Sequence, residues 1–297
     1  MIVNSENLRA AFVGFKQLFN EAFDAAPSDW TQVATEVPST TAREIYPWLG
    51  RNTKFREWVG NRVYQNLETH DFAITNKHYE NTVEIKVDEF EDDQYGIYAP
   101  IFRQLGQNAK THPDKLIFPV LQSGTSAKCY DGQPFFAMAH PGWDANGNAI
   151  TVANMDANGT GPWWYLMDTS KEVRPLIFQK RKNYTFVSRF RPDDPHVFEM
   201  NAFLYGVDAR VAAGFGLWQF AFASNQPLDS THYGNAMAAL RSLRTEAGDS
   251  MDVRPNLLVV GPSNQGPGNT VLKAETINAS TNIWRDTAKL LVSNWLS

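Results

Sequence analysis

Residues 80–94, ENTVEIKVDEFEDDQ, decide the fold because a strand pattern changes here into a cluster of acids. Val83, Ile85 and Val87 alternate with polar residues, and this two-residue repeat predicts a strand with one packed face. Five acids then occupy the six positions 88–93. A carboxylate cluster of this kind is compatible with a metal site, and it is equally compatible with acids placed at the positive end of a helix.

The residues that follow the cluster predict one long helix. Apolar side chains recur at four-residue steps from Ile97 to Ala109, and the pattern extends over 95–122. Pro113 has no amide hydrogen to donate, and its ring clashes with the preceding turn. We therefore expect Pro113 to break or kink this helix.

Two interpretations of the acids are open. Asp92 and Asp93 stand just before the predicted helix, where the helix dipole favours negative charge. A Ca²⁺ loop would require the alternating D-x-D-x-D-G pattern with a distal glutamate, which 88–93 lack. The sequence therefore favours a structural role for the acids, with a metal-dependent hydrolase that uses 88–93 and His140 as the alternative.

A second group of reactive side chains lies in CYDGQPFFAMAHPGWD, residues 129–144. Cys129 with His140 as its base would be a nucleophilic pair, but no recognisable nucleophile elbow surrounds the cysteine. Cys129, Asp131, His140 and Asp144 include one Cys and one His, too few for the usual tetrahedral zinc set. We expect no catalytic, cofactor or metal site here.

The rest of the chain predicts a mixed α+β protein. An amphipathic helix is predicted over 5–25, irregular structure over 26–61 and loop-rich structure over 122–162. The aromatic and β-branched residues of 163–223 are typical of strands. The end of the chain has the pattern of a small α/β unit: a helix over 230–247 capped by Asp229 and stopped by Gly248, a buried strand over 256–261, a helix near 269–276 and a last strand over 287–296.

Composition and charge limit the function classes. Hydrophobic residues make up 43% and charged residues 20% of the 297 residues, which is typical of a globular protein. Aromatic residues reach 13%, and this favours an oligomer because aromatics dominate subunit interfaces. The net charge of −5 argues against a nucleic-acid binder that works by bulk electrostatics. The sequence has no run of about 18 apolar residues, so we expect no membrane partner.

One segment of this acidic protein is basic. It carries Lys171, Arg174, Lys180, Arg181, Lys182, Arg189 and Arg191. The segment could be a solvated strand face, a nucleic-acid stripe or a surface that meets an acidic patch on a neighbouring subunit. The acids at 88–93 form such a patch, so the sequence favours subunit contact over a solvated face.

Several long motifs together resemble a known family. They include EIYPWLGRNTKFREWVGNR (44–62), NKHYENTVEIKVDEFEDDQYGIYAPIFRQLG (76–106), RPLIFQKRK (174–182), YGVDARVAAGFGLWQFAFAS (205–224) and WRDTAKLLVSNWL (284–296). This combination is similar to the major head subunit, called the T protein, of Mu-type tailed phages and prophages. The resemblance covers essentially the whole chain.

The resemblance implies the Hong Kong 97-like phage major capsid fold. Carried onto this sequence, the fold comprises an N-terminal arm over 1–44, an extended loop over 45–80, a peripheral domain over 81–225 and an axial α/β domain over 226–297. The peripheral domain would contain a spine helix over about 94–122, a loop-rich part over 123–162 and a strand-rich part over 163–225. The axial domain would then come last in the chain, whereas in the prototype of the fold it follows the spine helix.

The resemblance also implies a function without catalysis. Such a subunit self-assembles as hexamers and pentamers into the icosahedral head shell that encloses phage double-stranded DNA, and it needs no cofactor. Its implied partners are further copies of itself, a scaffold and a maturation protease supplied as separate proteins, a portal and possible decoration proteins. Packaged DNA would lie close by without specific recognition. Assembly would take place in the host cytoplasm and end in the virion.

A shell subunit must bury surface against its neighbours, and the sequence offers candidates for these contacts. The aromatic candidates are Trp48, Phe55 and Trp58, the acidic candidates are Asp88, Glu89 and Glu91, and the basic candidates are Lys180, Arg181 and Lys182. Charge complementarity predicts that the acids of one subunit meet the basic strip, residues 180–191, of the next.

Overall fold

Two sheets and two long helices organise this chain in the computed structural model, which describes residues 5–46, 72–92, 96–191 and 193–296. The helices in these ranges are α1 (Ser5–Ala25), α2 (Trp30–Val33), α3 (Val87–Asp92), α4 (Ala99–Ser123), α5 (Pro195–Met200), α6 (Ser230–Arg241) and α7 (Gln265–Lys273). None of these helices combines the length and the hydropathy that crossing a bilayer requires.

The strands follow the same chain order. They are β1 (Ala34–Pro38), β2 (Arg43–Ile45), β3 (Ala73–Thr75), β4 (Lys77–Lys86), β5 (His140–Trp143), β6 (Ala149–Val152), β7 (Met155–Asp156), β8 (Trp164–Met167), β9 (Leu176–Arg189), β10 (Ala202–Phe215), β11 (Ala221–Ser224), β12 (Leu257–Val260), β13 (Thr276–Ile277), β14 (Ser280–Thr281) and β15 (Lys289–Val292). A four-stranded sheet has the order β1-β9-β10-β4, and a five-stranded sheet has the order β15-β12-β8-β11-β7. Three two-stranded ladders join β2 to β3, β5 to β6 and β13 to β14.

Helices α1 and α4 pack on one half of the four-stranded sheet and form the smaller of two hydrophobic cores. Its buried side chains include Leu8 and Phe19 of α1, Phe102 of α4 and Phe186 of β9. The rings of Phe15 and Phe102 stack with their centroids 3.9 Å apart. The amphipathic repeat predicted over 5–25 is therefore confirmed as a helix docked on protein, with its phenylalanines turned toward α4 and the sheet.

Gly106 lets α1 and α4 approach closely. A Cβ atom placed on Gly106 would lie 2.3 Å from the carbonyl oxygen of Phe19 and 3.0 Å from the amide nitrogen of Phe23, both on α1. Only a residue without a side chain fits against backbone at these distances. Gly106 therefore sets the distance between the two helices.

The larger core lies at the other end of the molecule, around the five-stranded sheet. Trp164, Tyr165, Leu258 and Val259 of this sheet are almost completely buried. The long strands β9 and β10 contribute to both cores, because Phe186 and Val207 belong to the smaller core and Phe178 and Val211 to the larger one. The register between β9 and β10 shifts at 208–211, where one core gives way to the other.

Asn154 joins the loops of the larger core. Its side-chain amide donates to the carbonyl oxygens of Phe135 (2.9 Å), Trp218 (3.3 Å) and Ala221 (3.2 Å), and its side-chain oxygen accepts from the amide of Ala137 at 2.9 Å. Only 1% of Asn154 is exposed. One side chain therefore satisfies four backbone groups that would otherwise be buried without partners.

The strand predicted from the alternation of Val83, Ile85 and Val87 is present, but it ends before Val87. Strand β4 begins at Lys77 and ends at Lys86, and Val87 starts helix α3. The prediction of its packed face is confirmed, since Ile85 is buried and Val83 and Val87 pack against the smaller core. The two-residue repeat located the face correctly, but it cannot show where the backbone turns.

The predicted break at Pro113 does not occur, while the kink that was its alternative stays a prediction. Helix α4 runs without interruption from Ala99 to Ser123, through both Pro113 and Pro119. A proline inside a helix costs about 3 kcal/mol. The side chains of Ile117, Phe118 and Leu121, which follow Pro113, are completely buried, and this packing offsets the cost.

The elements of the α/β unit at the end of the chain are confirmed, with bounds that differ from the predicted ones. Asp229 caps α6, because its carboxylate accepts from the amides of Thr231 and His232, both at 2.9 Å. The helix ends at Arg241, whereas the prediction extended it to 247. Gly248 has a φ of +78° and lies in the turn beyond the helix, so it does not act as the helix stop.

Candidate assembly surfaces

The acidic residues 88–92 form a short helix of their own, and this placement differs from the prediction. Asp88, Glu89, Glu91 and Asp92 lie on α3, and all four are exposed. The side-chain amide of Asn201 donates to Asp88 at 3.3 Å, and the hydroxyl of Tyr98 donates to Glu89 at 3.2 Å. Asp92 is the last residue of α3, and α4 begins only at Ala99, so Asp92 does not stand at the start of the long helix. Asp93 lies outside the described residues.

The metal-dependent hydrolase that was the alternative is not supported. Among the described residues, the group of side chains close enough to share a metal ion is Cys129, Asp131 and His140, and no residue of α3 belongs to it. His140 is completely buried, whereas the acids of α3 are exposed. The structure therefore does not bring the acids and His140 together as the hydrolase would require.

Hydrogen bonding accounts for the cluster of Cys129, Asp131 and His140. The Asp131 carboxylate accepts from the Cys129 thiol at 3.0 Å, from His140 Nδ1 at 2.7 Å and from the amide of Gln133 at 3.0 Å. The His140 ring also stacks on Trp218 with the centroids 4.0 Å apart. Burial raises the pKa of the Cys129 thiol far above its usual range, which keeps it protonated and unreactive. The cluster therefore fastens the loop that follows α4 onto the larger core.

This arrangement predicts how acid affects stability. Burial raises the pKa of Asp131, but the hydrogen bonds from His140 and Cys129 outweigh it and hold that pKa below its usual value of 3.8. The folded state therefore prefers the ionised carboxylate. Its contribution is complete at pH values above 3.8 and is lost as the pH falls below that value.

We expect Asp131→Asn to lower the free energy of unfolding by about 1–3 kcal/mol at neutral pH, because a buried acceptor is removed from two side-chain donors. The difference from the unsubstituted protein should shrink as the pH falls below 3.8. Urea unfolding of both proteins at pH 7 and between pH 5 and pH 3 measures this. A difference that grows toward acid pH would contradict the assignment.

Two residues of the basic strip form ion pairs within the subunit. Lys180 forms an ion pair with Glu36 of β1, and Lys182 forms one with Asp208 of β10. The hydrogen bond from Lys182 lowers the pKa of Asp208, with a smaller contribution from His78. Arg181 is exposed, and no carboxylate in the described part of the chain lies within ion-pair distance of it.

The acidic helix and residues 180–182 of the basic strip lie toward opposite ends of one strand, β10. Val211 of β10 pairs with Lys180, and Ala202 pairs with Lys86, the residue that precedes α3. Ala202 and Val211 are nine residue steps apart along β10, which is about 30 Å at 3.3–3.4 Å per residue. This distance prevents contact between Asp88 and Arg181 within one subunit.

The aromatic candidates Trp48, Phe55 and Trp58 lie outside the described residues. The structure does describe what flanks them: β2 and β3 pair antiparallel, with Arg43 opposite Thr75 and Ile45 opposite Ala73. The start of the predicted extended loop therefore meets residues 73–75, near the end of that loop, in a ladder.

An exposed aromatic residue that the sequence reasoning did not select is Phe198, on α5. The Asp194-Pro195 pair is a helix-start signal and would have predicted α5. The exposure of Phe198 has no local signal, because it depends on which side of α5 faces the sheet.

A match over almost the whole chain agrees with this architecture. The family model described as Mu-like prophage major head subunit gpT matches residues 8–296. The major capsid protein of Escherichia phage Mu is 40% identical over 265 residues, which are 88% of this chain and 87% of that protein.

Solved structures give the same result. The procapsid protein of bacteriophage JBD30 superposes with a TM-score of 0.87 at 37% identity, covering 99% of this chain and 100% of that chain. The JBD30 capsid decorated with minor capsid protein trimers gives a TM-score of 0.76 at 29% identity, covering 94% of this chain and 93% of that chain. The fold and these matches thus define a phage major capsid protein with a Hong Kong 97-like fold. The chain belongs to the family of Mu-like prophage major head subunits, gpT.

Proposed function

We propose that this chain assembles as hexamers and pentamers into an icosahedral shell around phage double-stranded DNA, and that it works without catalysis. The observation that carries the proposal is the match to the JBD30 procapsid protein over 99% of the chain. Many weak contacts repeated around a closed shell give the assembly its stability.

Assembly of the purified protein tests the proposal. Negative-stain microscopy and sedimentation should detect closed shells or ring-shaped capsomers. A chain that remains monomeric at every concentration and salt condition, and also when co-expressed with the head proteins of its phage, would contradict the proposal.

The same proposal includes partners. The JBD30 capsid carries minor capsid protein trimers, which supports a decoration protein for this chain. A scaffold, a maturation protease and a portal would be separate proteins, and assembly would occur in the host cytoplasm. Mass spectrometry of subunits from the virion, compared with freshly made protein, would reveal whether a protease shortens the chain.

The domain boundaries also belong to the proposal. The β2–β3 ladder supports an arm over 1–44 and an extended loop over 45–80, since it pairs the start of that loop with residues 73–75 near its end. The four-stranded sheet with α4 supports a peripheral domain. The five-stranded sheet pairs β8 with both β11 and β12. We therefore extend the axial domain from 226–297 to include β7, β8 and β11.

We further propose that the acids of α3 meet Arg181 of a neighbouring subunit. The acids Asp88 and Glu89 are exposed, Arg181 is exposed, and the length of β10 keeps them apart within one subunit. Lys180 and Lys182 are held by carboxylates of their own subunit, so Arg181 is the one of these three basic candidates best placed to bind across the interface.

Reversing the charge of Arg181 tests this contact. We expect Arg181→Glu to reduce the yield of shells, without abolishing assembly, because an exposed ion pair contributes only about 0.2–1 kcal/mol. Adding Asp88→Lys and Glu89→Lys to the same chain should restore the yield, since the pair is then formed with opposite polarity. Lys16→Glu, a reversal on the exposed face of α1, serves as the control. A triple variant that assembles no better than Arg181→Glu would overturn the pairing.

A further inference from the structure

The tetrapeptide Asp-Ala-Asn-Gly occurs twice in this chain, at 144–147 and at 156–159. An asparagine that precedes glycine can react with its own backbone, because the glycine nitrogen is able to attack the side-chain amide carbon. Glycine has no side chain to block this approach. The reaction is intramolecular, so its rate depends on how freely the two groups can meet. The same short sequence therefore stands in two structural settings, which can be compared directly.

The first copy lies in an exposed turn that leaves Asn146 free to react. This turn joins β5 to β6, and the Asp144 carboxylate fixes it by accepting from the amides of Asn146 at 2.8 Å and Asn148 at 2.9 Å. The side chain of Asn146 is exposed, and no hydrogen bond joins it to any residue that the structure describes. The amide of Gly147 donates to the carbonyl of Asp144 at 3.2 Å, the outer limit for such bonds. Neither reacting group is firmly held.

The second copy is held at both reacting groups. The amide of Gly159 donates to the side-chain oxygen of Asn225 at 2.9 Å, and the carbonyl of Gly159 accepts from the Asn225 side-chain amide at 2.8 Å. The side-chain amide of Asn158 donates to Asp156 at 3.0 Å. A Cβ atom placed on Gly159 would lie 2.2 Å from the carbonyl oxygen of Asn225, so the backbone has no room to move there. Attack at Asn158 therefore requires this segment to open first.

We propose that Asn146 is a site of spontaneous deamidation in the folded subunit, and that Asn158 is protected from the same reaction. The nitrogen of Gly147 forms a bond to Cγ of Asn146, and the bond from Cγ to Nδ2 breaks. The Gly147 amide proton leaves with Nδ2 as ammonia, and a cyclic imide remains. Water then opens the imide at either of its two carbonyl carbons. The products are aspartate and isoaspartate, and nothing is oxidised or reduced.

Isoaspartate at position 146 would disturb a close contact between two turns. The carbonyl oxygen of Ala145 lies 2.4 Å from a Cβ placed on Gly248, and that of Glu246 lies 2.9 Å from a Cβ placed on Gly147. The turn between β5 and β6 therefore packs backbone against backbone on the turn that contains Gly248. Isoaspartate adds one atom to the backbone and one negative charge to the turn. The two turns should therefore separate as the subunit ages.

Peptide mass spectrometry of the purified, folded subunit tests the proposal. Mildly alkaline pH speeds the attack because it ionises the glycine amide. Under these conditions Asn146 should convert about tenfold faster than Asn158, a ratio that corresponds to about 1.4 kcal/mol of opening free energy. A protein isoaspartyl methyltransferase should label the peptide that contains residue 146.

The same chain unfolded in urea is the control for the intrinsic reactivity of the two sites. There Asn146 and Asn158 should react at similar rates, because both follow alanine and precede glycine. Equal rates at the two sites in the folded subunit would overturn the proposal. The same ratio of rates in the folded and the unfolded chain would also overturn it, since the difference would then not come from the structure.

Two variants test the cause of the protection. Asn225→Ala removes both side-chain hydrogen bonds to Gly159, so it should raise the rate at Asn158 about tenfold and leave the rate at Asn146 unchanged. Asn146→Gln moves the side-chain amide one methylene away and should abolish labelling of its peptide. Unchanged protection of Asn158 in a folded Asn225→Ala subunit would contradict the assigned cause. All of these measurements use the unassembled subunit, so they do not depend on the proposed shell.

Discussion

The Asn154→Asp variant should lose about 3 kcal/mol or more of unfolding free energy, although it changes a single atom of the side chain. One carboxylate oxygen can still accept from the amide of Ala137. The other oxygen would replace the amide nitrogen and face the carbonyl oxygens of Phe135, Trp218 and Ala221. Each buried polar group left without a partner costs about 1–3 kcal/mol, and a buried charge costs more.

Urea unfolding at neutral pH measures this loss. The matched control is Asn146→Asp, the same change at an exposed asparagine in the turn between β5 and β6, and it should shift the stability by less than about 0.5 kcal/mol. The loss at Asn154 should be smaller below pH 4, where a protonated carboxyl can donate one hydrogen bond again. Equal effects of the two substitutions would mean that Asn154 does not fasten the loops of the larger core.

The Gly106→Ala variant should destabilise the protein by about 2–3 kcal/mol. Alanine is the better helix former, so helix propensity alone predicts a gain of about 1 kcal/mol. The new Cβ would lie 2.3 Å from the carbonyl oxygen of Phe19, a backbone atom that cannot rotate away. Helices α1 and α4 must then separate, and the stacked pair of Phe15 and Phe102 loses contact.

The control for this prediction lies on α1 itself. Gly14 is also in a helix, and nothing lies within 4 Å of a Cβ placed there. Gly14→Ala should therefore stabilise the protein by up to about 1 kcal/mol. Thermal unfolding of the two variants should shift in opposite directions. A stabilised Gly106→Ala variant would show that the crossing of α1 and α4 tolerates a larger distance.

Local repeats in the sequence predicted the elements that bury one face. Helix α1 has the bounds expected from its repeat, and the packed face of β4 was identified from three alternating residues. Residues 26–61 were predicted to be irregular, but they contain α2 and β1, whose formation depends on distant residues. Strand β1 pairs in parallel with β9, and α2 is held by Asp114 of α4, whose carboxylate accepts from the amides of Asp29 and Trp30. No pattern within β1 or α2 contains that information.

For the candidate surfaces too, local sequence patterns predicted some features, and others depend on residues that are distant in the chain. The sequence predicted that the acids and the basic strip are charged patches, and the structure places both on the surface. It could not reveal that Glu36 and Asp208 neutralise Lys180 and Lys182, because those partners come from other strands. Nor could the sequence distinguish Phe198 from the many buried phenylalanines, since only the folded structure determines whether a side chain is buried or exposed.

The register shift between β9 and β10 has a mechanical consequence. A β-bulge bends its strand and interrupts the ladder, so resistance to bending is locally reduced. Here the shift lies at 208–211, between the strand segments that belong to the two cores. Each core is stiff because it is close-packed. A load on the wall of the head would therefore be absorbed at this joint, and each subunit could tilt one core against the other while the packing inside both is preserved.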